Sequence, residues 1–136
     1  MDYSNIDSVI ETMYSVISGP AGQPRDWALL RSLYHPQARL MVAPHAGKQA
    51  LPLRVMTVDE FIARLDKIFA TESFWERETK RHVEHFGRIA HVVCDYESLH
   101  ALNEAPFTTG RKSMQMFNDG TRWWVVSAMW NTERAE

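Results

Sequence analysis

A chain of 136 residues can bury roughly two-thirds of its unfolded surface, and 45% hydrophobic with 24% charged residues is the balance of an ordinary globular protein. The formal charge of −2 comes from interspersed acids and bases, which excludes a basic surface for nucleic acid or membrane. Cys94 is alone, so no intrachain disulfide forms, and no apolar run approaches the roughly 18 residues of a membrane span.

The N-terminus, Met1-Asp2-Tyr3-Ser4-Asn5, lacks the basic-then-apolar pattern of a signal peptide, so a cytoplasmic setting is expected. Ile6, Val9, Ile10, Met13 and Val16-Ile17 recur at helical spacing and predict a first helix that stops at Gly19-Pro20. Pro24 suits the first turn of a second helix, whose stripe is Trp27, Leu30, Leu33 and Tyr34, with His35-Pro36 closing it. Arg39–Ala43 reads as a short strand, and His45 to Pro52 as a loop or irregular lid. Thr57-Val58-Asp59-Glu60 is a capping-box pattern that opens a third helix carrying Phe61, Ile62, Leu65, Ile68 and Phe69.

Phe74 to Phe86 predicts a long strand, charged along one face and turned by Gly87-Arg88. Three further strands follow as a meander: Ile89–Ser98, Arg111–Phe117 and Arg122–Trp130. Asp119-Gly120 between the last two is a strong hairpin signal, since glycine takes positive φ without a Cβ clash. Helices first and strands afterwards predict an α+β fold, a cone-shaped curved antiparallel sheet packed on three N-terminal helices. No composition shift divides residues 1–136, so a single domain is expected, and a cone of this kind encloses a cavity.

Side chains alternate faces along a strand, so the register of the last hairpin decides what lines that cavity. A two-residue Asp119-Gly120 turn puts Ser113, Gln115, Phe117, Trp124, Val126, Ala128 and Trp130 on one face. The other face then carries Lys112, Met114, Met116, Trp123, Val125, Ser127 and Met129, and a one-residue bulge would reassign the whole last strand. On the preceding strand the smaller set, with Ala90, Val92, Cys94, Tyr96 and Ser98, is expected on the concave side. Gln115 is assigned inward as well, where its amide would meet a ligand or water.

Three segments resemble a known superfamily: Asp26-Trp27 through Leu33-Tyr34-His35-Pro36 to Arg39, then Phe86-Gly87-Arg88 through Val93 with Tyr96-Glu97, then Asp119-Gly120 through Val126. Their order is similar to the nuclear-transport-factor-2-like superfamily, whose cone-shaped α+β fold includes SnoaL-type polyketide cyclases and ketosteroid isomerases. The resemblance to the isomerases implies Tyr14 as a donor to a developing oxyanion and Trp130 as a pocket aromatic. Their general base would fall near Val42-Ala43 and their second acid at Ser113, and neither position carries a carboxyl group. The resemblance to the fold's dehydratases implies His85 as a catalytic histidine, although the accompanying carboxylate would fall near Ser18. The family resemblance also implies a homodimer, with the outer sheet face as its interface.

Metal chemistry is not expected. His82 and Glu84 share a strand face that His85 does not, and no phosphate-binding glycine loop or nucleophile elbow occurs, so no cofactor is expected either. Cys94 sits in an apolar run and reads as a small buried hydrophobe. The expected pocket comprises Tyr14, Trp27, Tyr34, Val42, Phe61, Cys94, Tyr96, Ser113, Gln115 and Trp130. Such a lining fits a small, largely hydrophobic molecule. Two alternatives stay open: an isomerase, dehydratase or cyclase using Tyr14 with His85, or a non-catalytic interaction module whose partner face carries Lys112, Met114, Met116 and Trp123.

Overall fold

The computed structural model describes residues 1–44 and 50–134. Its elements are α1 (Ile6–Val16), α2 (Trp27–Leu33), β1 (Tyr34–Val42), β2 (Arg54–Met56), α3 (Val58–Phe69), β3 (Trp75–Phe86), β4 (Ile89–Leu99), β5 (Thr108–Asn118) and β6 (Trp123–Arg134). The predicted α-α-β-α-β-β-β-β order thus gains one short strand, β2. The predicted loop from His45 to Pro52 lies partly outside the described residues.

Each helix begins on a side-chain cap that satisfies an otherwise free backbone N–H. Asn5 accepts from the Ser8 amide at 3.2 Å and Asp26 from the Leu29 amide at 3.0 Å. Thr57 and Glu60 form the predicted capping box, each side chain accepting from the other's amide. Helix α2 is shorter than expected: Pro24 precedes it, and the chain is already extended at Tyr34. Pro36 disfavours helical backbone at His35, so His35-Pro36 enters β1 rather than closing a helix.

The linker between α1 and α2 folds around Arg25. Its buried guanidinium donates to the carbonyls of Gly19 and Gln23 at 2.8 Å and of Pro20 at 3.0 Å, and lies 4.5 Å from the Phe69 ring centroid. One cation thereby ties three carbonyls of the linker together, adding to the backbone donors that Gly19 and Pro20 already receive from Phe74 and Gln23.

Six strands form one mixed sheet in the order β2-β1-β6-β5-β4-β3. Every pair is antiparallel except β1 with β6, which run parallel. These two strands are distant in sequence, so no tight turn dictates their direction. The apolar faces of all three helices meet the inward side chains of the sheet in a single core, with Ile10, Leu30, Leu33, Leu40, Val92, Met114 and Val125 fully buried.

Two bulges set which side chains point inward. In β3 the register shifts at Thr79, so Glu76 and Glu78 face in on one side of it, and Arg81 and Val83 on the other. In β6 Met116 pairs with Val125 but Gln115 with Ser127, leaving Val126 as the extra residue.

The last hairpin is closed by Asn118 opposite Trp123, so its loop has four residues, not the two expected. Asp119 organises this loop. Its Oδ1 accepts from the Thr121 amide at 2.8 Å and the Arg122 amide at 3.0 Å, and its Oδ2 from the Trp124 indole at 2.9 Å. Gly120, at φ 103°, supplies the left-handed residue the turn requires.

These donors, with the Thr121 hydroxyl first among them, hold the Asp119 carboxyl well below the usual carboxylate range. A carboxylate depressed on folding stabilises the fold above its unfolded pKa of about 4 and loses that contribution as pH falls further. Chemical denaturation of the wild type and Asp119→Asn between pH 6 and pH 2 should therefore show a stability gap that narrows below about pH 4. A gap independent of pH would contradict the turn assignment.

Candidate functional site

A cavity of about 310 Å³ lies between the concave face of the sheet and the helices. Its wall is largely apolar: Met13 and Ile17 from α1, Leu30 from α2, Phe61, Leu65 and Ile68 from α3, and Leu40, Val42 and Ala128 from the sheet. Phe61 meets Trp130 edge-on with ring centroids 5.6 Å apart. Most polar groups in this wall stand on β3 to β6, where Glu76, Tyr96, Ser98, Thr108, Lys112 and Thr132 line it, and Arg64 of α3 adds a cation on the helix side.

Glu76 and Lys112 form an ion pair that crosses over β4, with 8% and 10% of their side-chain surfaces exposed. The Lys112 Nζ also lies 4.4 Å from the Tyr14 ring centroid and 4.8 Å from that of Tyr96. An ammonium removed from water needs such compensation: one carboxylate, and two π faces with negative quadrupole.

Tyr96 reaches this position through a glycine. Tyr96, Gly110 and Thr132 stand in one cross-strand row on β4, β5 and β6. The Tyr96 ring lies over Gly110, and its hydroxyl shares a 2.5 Å hydrogen bond with the Thr132 hydroxyl, two strands away. A Cβ at position 110 would run into the Tyr96 ring and stand 2.7 Å from the Asn131 carbonyl oxygen.

Burial raises the phenol pKa of all three inward tyrosines, Tyr14, Tyr34 and Tyr96, with Tyr96 pushed up to about 12. Each is a neutral hydrogen-bond donor at physiological pH. The Tyr14 hydroxyl is buried and has no hydrogen-bond partner among the described residues. Burial, then the neighbouring Glu78 carboxylate, push the Cys94 thiol up to about 12, which keeps it protonated and a poor nucleophile.

Of the residues expected from sequence, Tyr34, Val42, Phe61, Tyr96 and Trp130 line the cavity. Tyr14 stands behind Lys112 and opens instead on a groove between α1 and β3, with Ser18, Glu78 and Arg81. Cys94 is fully buried in the core, outside the cavity wall. Trp27 packs on Phe69 at 6.2 Å and donates its indole N–H to Asp66 at 3.2 Å, outside the cavity.

Three placements are corrected. Ser113 and Gln115 point to the outer face, where the Ser113 hydroxyl meets the His91 ring at 2.9 Å. Lys112, Met114, Met116 and Trp123, expected on the outer face, are buried inside it, so they offer no partner surface. The grouping of alternate residues on β5 was right and its sense inverted: two methionines outweigh one amide in choosing the dry side, and the lysine follows because Glu76 receives it. His85 is exposed at the far end of β3, roughly 30 Å along the strand from Glu76, with its ring against Gly87 and Trp123. Tyr14 and His85 therefore do not converge on one reacting atom.

Sequence reasoning missed Glu76, Lys112, Gly110 and Thr132. A usable signal existed in Gly110, a glycine inside a strand, which often marks close approach of a bulky neighbour. A broader depression of about 680 Å³ lies along the outer face near Asp95, Arg111 and Met129. Asp95 and Glu97 there are already paired, to Arg111 at 2.6 Å and to Arg77, and the depression is more open to solvent, so the smaller, deeper cavity is the better site. No cluster of histidine, cysteine and carboxylate side chains able to hold a metal occurs among the described residues.

No protein-family model matches the sequence, and no curated protein is similar to it. Solved structures are similar to it in fold. An NTF2-like protein of unknown function from Pseudomonas putida superposes with a TM-score of 0.70 at 16% identity, covering 93% of this chain and 82% of the other. A protein from Streptomyces avermitilis, provisionally called a dehydratase of the NTF2-like family, gives 0.68 at 17% identity over 96% and 94%. A protein from Thiobacillus denitrificans, provisionally called a calcium/calmodulin-dependent protein kinase type II association domain, gives 0.73 at 10% identity over 98% and 99%. The chain has the NTF2-like fold, as its sequence motifs led us to expect.

Removing one partner of a buried pair strands the other, so Lys112→Met should cost about 3–5 kcal/mol in urea unfolding. The double variant Glu76→Leu/Lys112→Met should recover most of that loss. Gly110→Ala should displace the Tyr96 ring and lower Tm, whereas Gly110→Ala/Tyr96→Leu should relieve the clash.

Proposed function

We propose that this protein binds a small, largely hydrophobic molecule in the cone, with the polar end of that molecule at Glu76, Lys112, Tyr96 and Thr132. The observation that carries this reading is the distribution of the cavity chemistry: a helix-side wall that is apolar and aromatic apart from Arg64, and a compact polar cluster on the sheet side. Small-molecule sites have this makeup, in which apolar surface supplies affinity and a few fixed polar groups supply orientation.

A ligand's polar end would meet donors and acceptors already held in place. Tyr96 is fixed by Thr132 and by Gly110 beneath it, and Lys112 by Glu76 and two rings. Preorganised groups lose little freedom on binding. The orphaned Tyr14 hydroxyl lies behind this cluster, where a rotation of Lys112 on ligand entry would give it an acceptor or a water.

The NTF2-like fold by itself does not choose a function, since neighbours are described in terms as different as a dehydratase and an association domain. The cavity favours binding over a pure interaction module, because the apolar face that module required is interior. A homodimer in the cytoplasm completes the reading; no helix among the described residues is long and apolar enough to cross a membrane.

Native mass spectrometry beside a denaturing run tests the reading. The folded protein should carry a small-molecule mass that disappears on denaturation. Val42→Phe, which fills the cavity, should lower that occupancy while leaving the circular dichroism spectrum unchanged. A clean apo mass in the wild type, together with no thermal stabilisation by small aromatic alcohols, would contradict it.

A further inference from the structure

We propose that Lys112 is a nucleophile toward carbonyl compounds, and that the ligand class of the cone is an apolar aldehyde or ketone held as a protonated imine. This rests on the cavity being a binding site, and adds what its polar end does.

The placement of Lys112 is the observation. Among the described residues Lys67 and Lys80 are exposed, whereas Lys112 is buried and lines the cavity opposite its largely apolar helix-side wall. Lysine is the cation whose proton can be removed, unlike arginine, and desolvation against apolar surface is a setting of imine-forming amines. The base is in contact: Glu76 is the ion-pair partner of the Nζ.

The step balances without any further reagent. The ammonium passes one proton to the Glu76 carboxylate, and the free amine adds to the carbonyl carbon as the carbonyl π bond opens. The amine's second proton moves to the oxygen, giving a carbinolamine. Glu76 then returns its proton to the hydroxyl, water leaves, and a C=N bond forms with the nitrogen positively charged. One ammonium and one carbonyl have become one iminium and one water, with no change in net charge.

The surroundings suit that product as well as they suit the ammonium. The iminium nitrogen keeps the Glu76 carboxylate as its counter-ion and the Tyr14 and Tyr96 rings on its flanks. The Tyr96 hydroxyl, neutral at physiological pH, stands in the same wall as a donor for the carbonyl oxygen. The carbon chain of the ligand lies against Phe61, Leu65 and Trp130.

The test is reductive trapping with 3-phenylpropanal and cyanoborohydride at pH 7, followed by intact mass and peptide mapping. One 3-phenylpropyl group should appear on Lys112 at a rate at least about tenfold above that of Lys67, Lys80 or the Met1 amine. Lys112→Arg, which keeps the cation and the Glu76 pair, should abolish that adduct, and Glu76→Gln should slow it on the order of 100-fold. Thermal stabilisation by 3-phenylpropanol, which cannot form an imine, is measured alongside. Stabilisation by the alcohol with no preference for Lys112 in trapping would overturn the nucleophile and leave the binding site standing. Neither stabilisation nor a Lys112 adduct would overturn both.

Discussion

The buried pair of Glu76 and Lys112 is the constraint around which the inner face of this sheet is arranged. Two charges taken out of water cost several kcal/mol each unless they find one another and further partners. The chain meets that demand with elements far apart in sequence: Glu76 from β3, Lys112 from β5, Tyr14 from α1 and Tyr96 from β4. Well-packed apolar residues would serve stability at least as well in such a place. A charged pair on the wall of a cavity therefore fits the binding role proposed above better than a role in stability.

Around that pair, sheet irregularities do the positioning. The bulge at Thr79 keeps Glu76 and Glu78 inward at one end of β3, and Arg81 and Val83 inward beyond it. Arg81 is thereby brought between Glu78 and Asp7, tying β3 to α1. The bulge at Val126 does the same on β6, carrying the inward set from Trp123 and Val125 to Ala128, Trp130 and Thr132. Gly110 lets one aromatic ring cross a strand. Each departure from regular pairing puts a particular side chain on the cavity wall.

The helices, the cap of α3 and the meander were legible because each rests on local signals: apolar spacing, the Thr57–Glu60 box and Asp119-Gly120, whose loop nevertheless has four residues where two were expected. Strand β2 was not, since three residues with an exposed row carry no alternation to read. The inward sense of β5 was misread for a physical reason. A lysine looks like a solvent residue until its partner is known, and Glu76 lies 36 positions earlier on a strand that is mostly exposed. Trp130 was placed in the cavity by a register that was itself wrong, because the unforeseen bulge reversed the face a second time. The site half legible in the sequence was its aromatic wall; its charged end depended on long-range pairing that no local pattern encodes.

The NTF2-like cone supplies an enclosed volume, and this chain gives it a cation between two rings. The proposed reading puts the polar end of a ligand at Lys112. Nuclear magnetic resonance of ¹³Cε-labelled lysines during titration with 3-phenylpropanol tests that directly. The account predicts that the Lys112 signal moves to a saturable endpoint while those of Lys67 and Lys80 stay fixed. A saturable stabilisation of the protein that leaves the Lys112 signal unmoved would contradict it.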